Sequence, residues 1–75
     1  MRFDAREAAY LQKQYCERNN LLYFAPHDGY CFFCGKNIYV PIKYPYNDLV
    51  TGYSVEYASS HLITGCPHCN RSYCD

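Results

Sequence analysis

Over residues 4–18 the apolar positions Ala8, Leu11 and Tyr15 recur at helical spacing among charged neighbours, and Leu22 extends the same stripe past the end. Asp4 suits the N-cap, and Glu7 three positions later completes a capping-box spacing with acidic charge in the first turn. Ala5, Ala8, Ala9, Leu11 and Gln12 are strong helix formers. Asn19-Asn20 ends the element, because Asn accepts the left-handed conformation at a helix C-terminus. Cys16 falls inside this helix, where a small buried apolar side chain is expected.

The pattern then changes. Leu21-Leu22-Tyr23-Phe24 is a short apolar run, either a strand or a docked extension, and Ala25-Pro26-His27-Asp28-Gly29 is a loop by composition. Ile38, Val40, Ile42, Tyr44 and Tyr46 alternate with Tyr39, Pro41, Lys43 and Pro45, a period of two that predicts a strand over 38–46. Pro41 and Pro45 would leave the same edge of that strand without N–H donors, which predicts a border position. Asn47-Asp48 and Thr51-Gly52 mark turns. Residues 54–62 admit two readings. Tyr53, Val55 and Tyr57 alternate as in a strand, but Ser54 can cap, Glu56 suits a first turn, and Val55, Ala58, Ser59 and Leu62 share a helical face; a short helix is preferred. Leu62-Ile63-Thr64 is expected to form a strand.

Composition adds a constraint. Seventy-five residues make a single domain, 1–75, near the lower limit at which an apolar core supports folding alone. There is no Trp, and the aromatic content is ten Tyr and four Phe, whose hydroxyl-bearing majority makes a thin, wet-edged core. A staple is needed, and the cysteines offer one. Cys31-Phe32-Phe33-Cys34 and Cys66-Pro67-His68-Cys69 deliver four thiols as two Cys-x-x-Cys pairs, the usual sequence form of a tetrahedral structural zinc site. Gly35-Lys36 and Asn70-Arg71 follow them, and both Gly and Asn tolerate the positive φ that turns backbone N–H groups toward the sulfurs. The 31 residues from Gly35 to Gly65 leave room for a hairpin and a short helix. Cys31, Cys34, Cys66 and Cys69 would fill the shell of one structural Zn2+, leaving no position for a catalytic water, so no enzyme is expected.

Other readings of the same cysteines are weaker. Met1-Arg2-Phe3-Asp4-Ala5-Arg6-Glu7 lacks the apolar stretch of an export signal, and no run approaches membrane-spanning length, so a reducing cytoplasm and metal ligation are expected rather than disulfides. A redox role would place Cys-x-x-Cys at a helix start within a βαβ unit, which this chain is too short to build. His68 lies between two ligands, where side chains point outward; His61 and His27 are expected as ordinary imidazoles. Cys74 could replace a ligand or help hold a second metal, with a packed or exposed thiol preferred. Seven Lys plus Arg balance seven Asp plus Glu, and four thiolates with one divalent ion bring the total near −2. That lacks the basic footprint of a dedicated nucleic-acid binder.

The order Cys-x-x-Cys-Gly-Lys, then Cys-Pro-x-Cys-Asn, resembles zinc-ribbon and treble-clef-like proteins and the zinc-bearing part of HNH endonucleases. His61-Leu62-Ile63-Thr64-Gly65-Cys66-Pro67-His68-Cys69-Asn70 looks like the HNH segment Asn-Leu-x-x-x-Cys-x-x-Cys-Asn, with His61 where that family has its middle Asn. The family's catalytic His has no counterpart between Ile38 and Ser60, and only six residues follow Cys69, too few for its terminal ligand-bearing helix. The resemblance therefore implies the metal site without nuclease activity. The stretch 30–75 is also similar to short zinc proteins of bacteria, their phages and mobile elements, which implies a regulator of a host protein or an anti-defence factor. The fold class expected is a small α+β zinc-stapled domain: an N-terminal helix, 4–18, plus a zinc-ribbon-like module, 31–74, with an antiparallel sheet and two Cys knuckles.

For function, the expectation is a protein partner met through a tyrosine surface, with Tyr39, Tyr44, Tyr46 and Tyr53 around the border strand as candidates, since Tyr offers large contact area with few rotatable bonds. The alternative is nucleic-acid binding by Lys36, Lys43, Arg71 and stacking rings. Zinc binding contributes on the order of 10 kcal/mol that becomes folding free energy. The metal-free chain should accordingly be unfolded or loosely collapsed. Circular dichroism before and after exhaustive chelation should show the thermal transition disappear; a cooperative melt that survives chelation counts against the staple.

Overall fold

The computed structural model describes residues 2–45 and 49–73. Helix α1 is Ala5–Arg18, strand β1 is Ile42–Lys43, strand β2 is Val50–Thr51, and helix α2 is Val55–Ser60. The strands pair antiparallel, Ile42 opposite Thr51 and Lys43 opposite Val50.

Helix α1 starts where the sequence indicates: the Asp4 carboxylate accepts the Glu7 N–H at 3.0 Å. The expected box is only half used, because the Glu7 carboxylate turns to the Arg2 guanidinium instead. That pair is solvent-exposed, so it contributes little. At the other end Asn20 adopts φ 56°, the Leu21 N–H reaches the Cys16 carbonyl at 2.8 Å and the Asn20 N–H that of Glu17 at 3.3 Å. Both bonds satisfy last-turn carbonyls in the paired pattern of a left-handed helix end. Leu21–Phe24 continues as an extension without strand pairing, and Leu22 is 73% exposed rather than part of the apolar stripe.

The buried face of α1 is Ala8, Gln12 and Cys16, spaced by four, with Leu11 and Tyr15 only partly covered on its flank. The reason is close packing against α2, where Ala8 and Ala58 are both fully buried and small side chains set the approach. Gln12, also fully buried, is satisfied throughout: Nε2 donates to the carbonyls of Ala58 (2.6 Å) and His61 (2.8 Å), and Oε1 accepts the Ile63 N–H at 2.8 Å. One side chain thus closes the open carbonyl end of α2 and holds the segment beyond it.

Helix α2 forms as preferred over the strand reading. The Ser54 hydroxyl accepts the Tyr57 N–H at 3.1 Å, and Val55 and Ala58 are buried. The Val55 N–H donates to the Arg2 carbonyl at 2.8 Å, and the Arg2 N–H donates to a Glu56 carboxylate oxygen at 2.9 Å, so the chain start closes this helix end.

The long alternating strand over 38–46 is not formed. Ile38 and its neighbour Tyr39 are both fully buried, whereas a strand would send them to opposite faces. The Asn37 side chain accepts the Tyr39 N–H at 2.9 Å and its carbonyl receives the Val40 N–H at 3.3 Å, so a side-chain-closed turn displaces the ladder. Only Ile42–Lys43 pairs, bracketed by Pro41 and Pro45, and both strands of the two-stranded sheet are border strands. Thr51 lies in β2 rather than in a turn. Leu62–Thr64 is extended without a ladder, because the Ile63 N–H is taken by Gln12. The expected Asn47-Asp48 turn, Tyr46 and Cys74 fall outside the described residues.

Gln12→Leu keeps the volume but strands two carbonyls and one N–H in the interior. Chemical denaturation of the metal-loaded protein should show a loss of about 2–4 kcal/mol. A loss below about 0.5 kcal/mol, the range of an ordinary surface change, would show that the Gln12 bonds carry no weight.

Candidate metal centre

Each Cys-x-x-Cys pair folds into the same small hook. In the first, the Gly35 N–H donates to the Cys31 carbonyl at 2.9 Å and the Cys31 N–H to the Lys36 carbonyl at 3.0 Å. In the second, the Asn70 N–H donates to the Cys66 carbonyl at 3.0 Å and the Cys66 N–H to the Arg71 carbonyl at 2.9 Å. Gly35 and Asn70 occupy equivalent left-handed positions, φ 74° and 62°. A single bridge closes each hook at its base, Tyr30 with Asn37 and Gly65 with Ser72. In both, a backbone N–H two residues on points at the leading sulfur: Phe33 N to Cys31 Sγ at 3.3 Å and His68 N to Cys66 Sγ at 3.4 Å.

The hooks face each other so that all four Sγ atoms lie within 4.8 Å of one another. Cys31 and Cys69 approach to 3.8 Å and Cys34 and Cys66 to 3.7 Å. Four sulfurs placed about 2.3 Å from a central ion stand at the corners of a tetrahedron with edges of about 3.8 Å. The observed spacing therefore fits a tetrathiolate site for a metal ion. These cysteines are free thiols, so they are not consumed as disulfides.

The surroundings act differently on the two leading thiols. Burial opposes ionisation of Cys31, but the Tyr73 hydroxyl and the Cys34 and Phe33 N–H groups outweigh it and bring the thiol down to about 6. Burial pushes Cys66 up to about 12. The protein's own dipoles thus favour one anionic sulfur and resist another beside it. Ionising all four at this spacing would require a cation among them.

His68 is not a ligand in this arrangement, nor does it simply face solvent. Its ring spans the two halves of the site: Nε2 donates to the Asn37 carbonyl at 2.8 Å, leaving Nδ1 to accept from the Thr51 hydroxyl at 2.6 Å. It ties the second hook to the exit of the first and to β2. His61 stacks on Tyr57, which stacks on Tyr53, with centroids 4.4 and 4.8 Å apart. His27 packs near Tyr23 at 5.2 Å. Neither imidazole joins the sulfur cluster.

The expected tyrosine surface is redrawn. Tyr39 is fully buried, and Tyr44 and Tyr53 are partly covered, Tyr53 with its hydroxyl donating to the Gly65 carbonyl at 2.8 Å. Three exposed rings lie together on or beside the first hook, Phe32 at 69%, Phe33 at 52% and Tyr30 at 54%, while Tyr10 on α1 and Tyr57 on α2 are exposed elsewhere. Tyr73 packs against both Phe rings, centroids 5.2 and 6.3 Å away, and the Arg71 guanidinium lies 5.2 Å from the centre of Phe33. Sequence reasoning missed this group, although two apolar rings set between paired ligands were a visible signal.

Gly35→Asn gives the first hook the residue type the second already uses, so metal affinity should stay within about threefold. Gly65→Ala instead sets a Cβ 2.9 Å from the Arg71 carbonyl oxygen. That backbone clash should weaken binding by tenfold or more, about 1.4 kcal/mol, in a competitive chelator titration. Equal affinities for the two variants would contradict the hook geometry. Compared with protein-family models, curated proteins and solved structures, the chain matches none.

Proposed function

We propose that this chain is a non-enzymatic interaction module, in which one Zn2+ on Cys31, Cys34, Cys66 and Cys69 staples a zinc-ribbon-like unit that docks a protein partner through the aromatic face of its first hook. Zinc suits the donor set, since four thiolates in a tetrahedron match an ion without geometric preference of its own. Among the described residues the cluster consists of four sulfurs with no His or carboxylate beside them, a donor set that suits a structural role. Free thiols at this density suit a reducing, cytoplasmic setting. Among the described residues no helix is long and apolar enough to cross a membrane.

The observation that carries the docking reading is the pair Phe32 and Phe33, more than half exposed yet anchored between metal ligands. Rings held in water on a rigid support give up apolar area at about 25 cal/mol per Å² when a partner covers them, with little ordering left to oppose binding. Clustered exposure of this kind marks contact surfaces. Nucleic-acid binding is the second reading, favoured by the Arg71 guanidinium over Phe33. Against it, Lys36 and Arg71 stand beside a tetrathiolate centre of net charge −2, which cancels the field that phosphates would need.

A photoreactive phenylalanine at position 33 should crosslink a defined protein in cells. Phe32→Ser/Phe33→Ser should still fold and bind one zinc per chain at saturating metal while losing tenfold or more in affinity for that protein. Crosslinks to nucleic acid, with salt-sensitive oligonucleotide binding and no protein captured, would reverse the order of the two readings.

A further inference from the structure

Two buried side-chain oxygens, the hydroxyls of Tyr39 and Tyr73, make no hydrogen bond of ordinary geometry among the described residues. A buried unpaired hydroxyl costs on the order of 1–3 kcal/mol, so each calls for an explanation. The group that the Tyr39 hydroxyl faces is the hydroxyl of Tyr23, another phenol. The groups that the Tyr73 hydroxyl faces are the sulfurs of Cys31 and Cys66.

The position of Tyr73 is fixed from three directions. Its N–H donates to the Thr64 carbonyl at 2.8 Å, one residue past the bridge between Gly65 and Ser72. Its ring lies against Phe32 edge-on and parallel to Phe33, within 8°. It also packs on the buried cluster that includes Cys31 and Cys66, with Cys34 and Cys69 at its edge. The ring therefore reaches from the exposed rings of the first hook to the sulfur cluster, with its oxygen at the inner end.

We infer that Tyr73 is a positioning residue of the metal centre, whose phenol donates a hydrogen bond to the Cys31 thiolate once a cation is bound. The inference rests on the tetrathiolate reading of the site. A neutral thiol is a poor acceptor, whereas a metal-bound thiolate is an anion, and charge-assisted bonds are roughly twice as strong as neutral ones. Cys31 already receives the Phe33 N–H at 3.3 Å, and the phenol adds a side-chain donor to this sulfur. Partners of this kind hold ligands in place, and their loss typically weakens metal affinity by 10–100-fold. The same residue joins the docking rings to the centre: loss of the ion would release the inner anchor of the ring that packs on Phe32 and Phe33.

The test uses Co2+ in place of zinc, because sulfur-to-cobalt charge-transfer bands report the electron density on each thiolate. Wild-type protein should bind one Co2+ with a tetrahedral tetrathiolate spectrum. Tyr73→Phe keeps the ring and removes the donor; the charge-transfer band should move to longer wavelength, and metal release to a chelator should accelerate about tenfold. Tyr39→Phe, which removes the other buried phenol, should leave both unchanged. Should Tyr73→Phe fold poorly, 3-fluorotyrosine at position 73, a stronger donor of nearly the same shape, should shift the band to shorter wavelength. A normal wild-type spectrum with neither substitution at position 73 moving the band overturns the role of Tyr73 alone. Absence of a tetrathiolate spectrum in the wild type overturns the metal centre and this inference together.

Discussion

Four sulfurs are held within 4.8 Å of one another although Cys31 and Cys69 are 38 positions apart in the chain. Everything else in the fold is arranged around that closure. Bringing distant segments together costs loop entropy that grows slowly with length, so a single strong tie suits a long interval. The segments between the hooks contribute little regular structure: a sheet of two residues per strand and a helix of six. Such elements do not persist alone. They are shaped by what the hooks and α1 impose at their ends.

The interior shows how the thin core is supplemented. Apart from Ile38, Tyr39, Val55 and Ile63, its buried apolar members are alanines and cysteines, small side chains that bring backbones close but bury little area each. Hydrogen bonds take up the difference. Gln12 serves three backbone groups of the stretch 58–63 from the other helix, Asn37 closes the turn that buries Ile38 and Tyr39, and His68 joins the two hooks. Gln12 and His68 bond across elements, and Asn37 within its own turn. Such bonds fix a particular arrangement more than they add stability, since their net worth is modest while the cost of breaking them is not.

What could be read in the sequence follows from whether the signal was local. The Asp4 and Ser54 caps, the left-handed turn at Asn20 and the equivalence of Gly35 and Asn70 depend on a few adjacent residues, and all are seen. The proximity of four cysteines was legible because metal chemistry fixes spacing. The strand over 38–46 was misread because alternation describes a free ladder, and Asn37 captures the backbone before a ladder can form. The apolar stripe of α1 is right at Ala8 and shifts beyond it for a related reason: periodicity favours Leu11 and Tyr15 by hydrophobicity, while close helix packing selects the polar Gln12. Tertiary partners, invisible to a local pattern, decided both.

The two hooks share one backbone yet carry different outer partners, and the difference divides the surface. On the second hook the residues between the ligands are Pro67 and His68, partly covered, with the imidazole spent on Asn37 and Thr51 inside the protein. On the first they are Phe32 and Phe33, uncovered, with Tyr73 beneath them. A twofold-like metal site thus has one half turned inward as a structural tie and the other turned outward as a surface. Exposing two phenylalanines leaves apolar area uncovered on a chain so short of apolar core. Had burial been the only demand, these rings would be inside and the alanines outside. Their placement between two candidate ligands suits the contact surface proposed above, because a ring already held in place loses least on binding.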